Sequence, residues 1–174
     1  KNLFIQETFG RAVKNHQEGK IDIAQELYNQ VLKIDPSHSQ SLANIAVIFS
    51  NLKEHQKAKS CYEKAIEINP DYLEAHNNLG GLFKKLGKSQ KAKDCYKKAI
   101  EINPNYSSAH YNLGVLYQDL GEFQKANDCY EIVIKLEPGH LSAHKNLGIL
   151  LKEKRLLSKI EQAKKSETTT TISF

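Results

Sequence analysis

Histidine and cysteine are the residues here with the most chemical reach. His76, His110 and His144 stand 34 residues apart, inside AHNNLG, AHYNLG and AHKNLG, and Cys61, Cys95 and Cys129 keep the same interval. Both residue types bind zinc, but the ligand atoms must then converge to within about 2.0–2.3 Å of one ion. Equivalent positions in successive stacked units do not converge, so the histidines read as packing residues and no metal is expected. The three cysteines are an odd count, which argues against a disulfide framework. Cysteines one unit apart also fail the Cα separation of about 7 Å that a disulfide needs. They read as reduced, half-buried small residues, and a reducing, cytoplasmic location is expected.

Other catalytic signatures are absent. No Gly-x-Gly-x-x-Gly, Walker or Gly-x-Ser-x-Gly pattern occurs, so neither a phosphate cradle nor a nucleophile elbow is expected. The sequence therefore predicts no enzyme, no catalytic residue, no cofactor and no small-molecule substrate. Lysines 57, 59, 91, 93, 97 and 98 raise the question of nucleic acid, with a formal net charge of +5 behind them. Aspartate and glutamate are interleaved with them, so they read as a solvated face, and nucleic acid is a minor alternative. No apolar run is long enough for a membrane span, and no secretory leader is visible. Both ends read as cut from a longer parent. Asn44, Asn78, Asn112 and Asn146 form the most informative polar series. A primary amide offers donors and an acceptor and so can bond both polar groups of a peptide backbone, or a local partner.

The elements that position these residues follow from the same period. Pro36, Pro70, Pro104 and Pro138 are 34 residues apart, as are Tyr28, Tyr62, Tyr96 and Tyr130, and Ala24, Ala58, Ala92 and Ala126. Within a period, Leu79, Leu82, Phe83 and Leu86 mark one amphipathic helix, Gly87 ends it, and Ala92, Cys95, Tyr96, Ala99 and Ile100 mark a second that stops before Pro104. The reading is all-α, with helices near 5–18, 21–34, 39–52, 55–68, 73–86, 89–102, 107–120 and 123–136, and a ninth beginning near 141. Ser37 with Gln40, and Asp71 with Glu74, have capping-box spacing.

A 34-residue helix–turn–helix period with these residues resembles the tetratricopeptide repeat family. Units 39–72, 73–106 and 107–140 match the family's small, aromatic or leucine, alanine, aromatic and proline positions. Unit 5–38 matches through Ala12, Ala24, Tyr28 and Pro36, with Asn15 where an aromatic belongs, and a partial unit covers 141–154. The resemblance implies a right-handed superhelical solenoid over 5–154. Residues 155–165 are expected to form a capping helix whose Leu156, Leu157, Ile160 and Ala163 pack back, and 166–174 a disordered tail. It also implies a concave groove that binds a peptide or partner protein. The asparagine series faces that groove in the family, beside Asn77, Tyr111 and Lys145, and Lys84 and Gln118. The NLG units are similar to those of the O-GlcNAc transferase repeat arm. The family's clamp for acidic C-termini needs Lys and Asn where this chain has Phe9 and Val13, which argues against a chaperone-tail receptor. Two functions follow: a non-catalytic scaffold, or the substrate-presenting arm of a larger glycosyltransferase-type enzyme.

Overall fold

The structure is a computed structural model that describes residues 2–171, with side chains over 2–162. Its helices are α1 (Asn2–Gln17), α2 (Ile21–Ile34), α3 (Ser39–Asn51), α4 (His55–Ile68), α5 (Leu73–Lys85), α6 (Ser89–Ile102), α7 (Ser107–Asp119), α8 (Phe123–Leu136) and α9 (Leu141–Thr171). No strand occurs among the described residues. The expected boundaries hold to within one residue, except that α1 begins three residues early. The chain divides into two compact units, residues 1–109 and 110–174.

In the first unit α1 packs on α2, α3 on α4 and α5 on α6, while α2 also meets α3, and α4 meets α5. The first helices end at a residue with positive φ: Gly19 at 74°, Lys53 at 62° and Gly87 at 69°. Glycine meets this requirement freely, whereas Lys53 carries a left-handed strain of about 1–2 kcal/mol. The second helices end differently. Asp35, Asn69 and Asn103 leave the helix in an extended conformation, and each side-chain Oδ1 accepts the backbone N–H two residues on, beyond the proline, at 3.0, 3.3 and 3.0 Å. This local bond carries the turn one residue further than the capping-box reading allows. The N-caps of α3 and α5 are accordingly His38 and Tyr72, not Ser37 and Asp71. His38 accepts the Ser41 N–H on Nδ1 at 3.2 Å, while the Ser37 hydroxyl bonds back to Asp35.

The core consists of tyrosines set against small residues. Tyr28, Tyr62 and Tyr96 are 0, 2 and 1% exposed, and the facing Ala12 and Ala46 are wholly buried. At Gly80 an added Cβ would lie 2.7 Å from the Tyr96 ring. In the first hairpin, where Asn15 replaces an aromatic, Phe9 and His16 flank Tyr28 with ring centroids 5.9 and 6.1 Å away, and Asn15 bonds the Arg11 carbonyl instead. Phe9 and Val13 both pack against this cluster.

The second unit repeats the contact: a Cβ on Gly114 would meet the Tyr130 ring at 2.8 Å. Gly121, with φ of 74°, turns the chain into α8. At the next equivalent position stands Arg155, and the helix does not break; α9 is one rod from Leu141 to Thr171. The segment expected to return as a cap therefore continues as helix. Leu156, Leu157 and Ile160 stay 59, 55 and 44% exposed instead of packing back. Residues 166–171, expected as part of a tail, extend this helix; the Ala163 side chain and residues 172–174 lie outside the described set.

The tyrosine–glycine contact sets a sign for each glycine. Gly80→Ala and Gly114→Ala should each lower stability by about 1–3 kcal/mol, because a fully buried ring has nowhere to move. Gly148→Ala, where nothing lies within 4 Å of the added carbon, should raise it by about 0.5–1 kcal/mol through helix propensity. Urea unfolding midpoints measure both, and opposite signs would refute the packing account.

Candidate functional site

Burying a tyrosine leaves its hydroxyl in need of partners, and these come from the polar series. In the first unit the Tyr28 hydroxyl lies 3.4 Å from His16 Nδ1, with the Asn44 amide beside it. Burial pushes the Tyr28 pKa up and the neighbouring Asn44 amide opposes it. In the second unit Asn146 donates to the Tyr130 hydroxyl at 3.2 Å and reaches the Tyr111 hydroxyl at 3.4 Å, while Tyr130 donates to Gln118 Oε1 at 2.7 Å. Burial pushes Tyr130 up to about 12, against the Asn146 bond. The two clusters share one register: Asn146 follows Tyr130 by 16 residues, as Asn44 follows Tyr28.

The remaining expected groove residues are distributed as follows. Asn78, on α5, is half-buried, and its amide has no hydrogen-bond partner among the described residues. Asn77 beside it is buried, 7% exposed, and presents little surface. Lys84 is half-buried on the same helix. In the second unit Tyr111, Asn112 and Gln118 are half-buried and Lys145 is exposed; the Tyr111 ring also stacks on His140 at 4.9 Å. The structure thus gathers Tyr111, Gln118 and Asn146 around Tyr130. His16, Tyr28 and Tyr130 were missing from the expected set. Tyrosine and asparagine keep a constant spacing of 16 residues, but Tyr62 and Asn78 keep it too without a bond, so spacing alone did not mark these residues.

The histidines close turns. His76 Nε2 lies 2.8 Å from the Pro70 carbonyl and His144 Nε2 lies 2.8 Å from that of Pro138, while His110 is buried. The three cysteines are free thiols, and burial pushes Cys95 and Cys129 up to about 11, so they are neutral near pH 7. Several of the second-helix lysines are engaged locally. Lys57, Lys91 and Lys125 sit 5.3, 5.6 and 5.4 Å over the Phe49, Phe83 and Tyr117 rings, and Lys59 pairs with Glu63 at 3.1 Å. Among the described residues no group of three metal-binding side chains converges, and no helix is long and apolar enough to cross a membrane.

Tetratricopeptide repeat models match residues 39–72 and 73–106, 95–126, 111–158 and 15–38. No curated protein sequence matches significantly. Among solved structures, MamA is 27% identical over 92% of this chain and 96% of its own, with a TM-score of 0.72. PilF of Pseudomonas aeruginosa is 22% identical over 92% of this chain and 73% of its own, with a TM-score of 0.83. YrrB, described as a TPR protein with an unusual peptide-binding site, is 22% identical over 85% of this chain and 76% of its own, with a TM-score of 0.66.

The tyrosine partners separate the asparagines by their effect on stability. Asn146→Ala should cost about 0.5–1.5 kcal/mol, and Asn78→Ala should stay within about 0.5 kcal/mol of wild type. Equal losses at both, in chemical unfolding, would contradict the assignment. A second expectation concerns alkali. Cys95 is raised from 9.0 to about 11 and Tyr96 from 10.0 to about 12, chiefly by burial. The unfolded chain gives up these protons first, so their contribution is full below pH 9 and is lost as pH rises through 11 and 12. The urea midpoint should therefore fall from pH 9 upward, and a flat profile would refute the burial of these groups.

Proposed function

Because the chain belongs to the tetratricopeptide repeat family, we propose that it is a non-catalytic scaffold holding an extended peptide of a partner protein on its first helices. The observation that carries this reading is the Asn78 amide. It shares a slot with Asn44, which lies beside Tyr28, and with Asn146, which is bound to Tyr130, yet it is half-buried and open to a ligand. An amide so held can bond the N–H and C=O of an extended backbone with little demand on its side chains. In the first unit Lys84 stands six residues, about one and two-thirds helical turns, further along α5, within reach of a polar or acidic group on such a peptide. In the second unit Tyr111, Asn112, Gln118 and Lys145 supply a comparable polar set with one aromatic. The peptide-binding site named for YrrB supports the same use of the fold. Neutral thiols and turn-closing histidines favour a non-catalytic role, and free cysteines favour a reducing compartment such as the cytoplasm.

Peptides selected from a displayed random library on the 174-residue chain provide the test. Asn78→Ala should weaken the selected peptides about two- to tenfold, the value of one neutral hydrogen bond. Lys97→Ala, on an exposed second-helix position, should leave affinity unchanged. Loss of binding with the lysine variant and none with the asparagine variant would refute the reading.

A further inference from the structure

The first turns of α9 are half of a repeat. LSAHKNLGILL carries Gly148 in the slot of Gly80 and Gly114, and Leu151 in the slot of Phe83 and Tyr117. In the earlier hairpins the second helix covers both slots. Tyrosine rings sit on Gly80 and Gly114, and Phe83 and Tyr117 keep only 5 and 7% exposure. On α9 the same surface is bare: nothing lies within 4 Å of a Cβ on Gly148, and Leu151 is 53% exposed. Beside it, between α8 and α9, runs a groove of about 600 Å³ whose apolar lining includes Phe123, Leu151 and Leu157. Its charged lining is Glu131, Glu153 and Glu161 against Lys154.

The residues that follow do not fill it. The turn into each earlier second helix uses positive φ, three times at glycine. Arg155 occupies that position here, and α9 runs on as helix. A turn at Arg155 would bring Ile160, Lys164 and Glu167 into the slots of Ala126, Tyr130 and Val133, all of which are 0% exposed. Burying that lysine and glutamate without partners is strongly unfavourable.

We propose that the α8–α9 groove docks an amphipathic helix from another polypeptide, with the pattern Ala-x-x-x-Tyr-x-x-Ala/Val and basic flanks. The chain's own second helices define the pattern: Ala24, Tyr28 and Val31; Ala58, Tyr62 and Ala65; Ala92, Tyr96 and Ala99; Ala126, Tyr130 and Val133. The excess of carboxylates in the lining defines the flanks. This site is independent of the Asn78 face.

The probe is a labelled peptide copying residues 89–102, SQKAKDCYKKAIEI, with a lactam joining Asp94 to Lys98 on the face away from Tyr96 to hold it helical. Fluorescence anisotropy with the 174-residue chain should show saturable binding. Tyr96→Ala in the peptide should weaken it about tenfold or more, and so should Gly148→Leu in the protein, by overfilling the small slot. Gly148→Leu projects into open space in the free chain, so its unfolding midpoint should not fall; Asn78→Ala should leave this binding unchanged. Absence of peptide binding, or binding indifferent to Gly148→Leu, overturns the proposal. So does a homodimer by sedimentation equilibrium that Gly148→Leu dissociates, since a second copy would then own the groove.

Discussion

Each hairpin depends on a tyrosine ring pressed against a residue with little or no side chain. Tyr96 on Gly80 and Tyr130 on Gly114 show the contact in its tightest form, and wholly buried Ala12 and Ala46 occupy the same slot in the hairpins of Tyr28 and Tyr62. The close approach brings the paired helices into register and removes a large ring from water, an area of about 150–250 Å². It also creates an obligation. A buried hydroxyl without a partner is costly, so the surface beside each tyrosine must offer polar atoms. Asn44 and His16 meet Tyr28, and Asn146 and Gln118 meet Tyr130. The polar slots of the first helices thus begin as a consequence of packing. Where the consequence lapses, as at Asn78, the amide becomes available for something else.

The period made most of the fold legible. A repeat of 34 residues locates every turn by comparison with three others, which is why the boundaries of α2 to α8 could be read to within a residue. The errors have physical causes. Ser37 and Asp71 have capping side chains at capping spacing, but the Asx turn over each proline moves the helix start past them. A histidine ring, rarely considered a cap, takes the duty at His38 and again at His140, which accepts the Ala143 N–H at 3.1 Å. The course of α9 was harder to read, because an apolar stripe at Leu156, Leu157 and Ile160 looks the same on a helix that returns as on one that continues. The deciding residue was Arg155, at a turn that elsewhere takes glycine or a strained lysine.

The polar site was legible as a set of positions and less so as a set of roles. Equal spacing suggested that the four asparagines act alike. They do not, because their neighbours differ: Tyr28 is paired with His16 and Tyr130 with Gln118, but the slot beside Tyr62 holds Ser50, whose side chain is short. Asn77 carries the same lesson. Its slot is a buried alanine at Ala43 and an exposed lysine at Lys145, so burial in that slot varies along the chain while the register does not.

The first helices α1 and α9 fill equivalent slots in opposite ways. Interior repeats bury an apolar pair against the preceding hairpin: Ile45 and Ile48 are 4 and 1% exposed and join the cluster around Leu27 and Tyr28, and Leu79 and Leu82 are 5 and 1% exposed. On α1 the same two slots hold Arg11, which is exposed, and Lys14, whose side chain is 76% exposed. Two cations there give that face of α1 a hydrated surface, and another helix pressed onto it would have to strip their water. On α9 the corresponding Leu150 is buried, but Gly148 and Leu151 face outward with no helix over them. A glycine exposed in mid-helix is worth less than an alanine to a helix standing alone. Its value lies in letting a second helix approach closely, and that is the use the chain makes of it at Gly80 and Gly114.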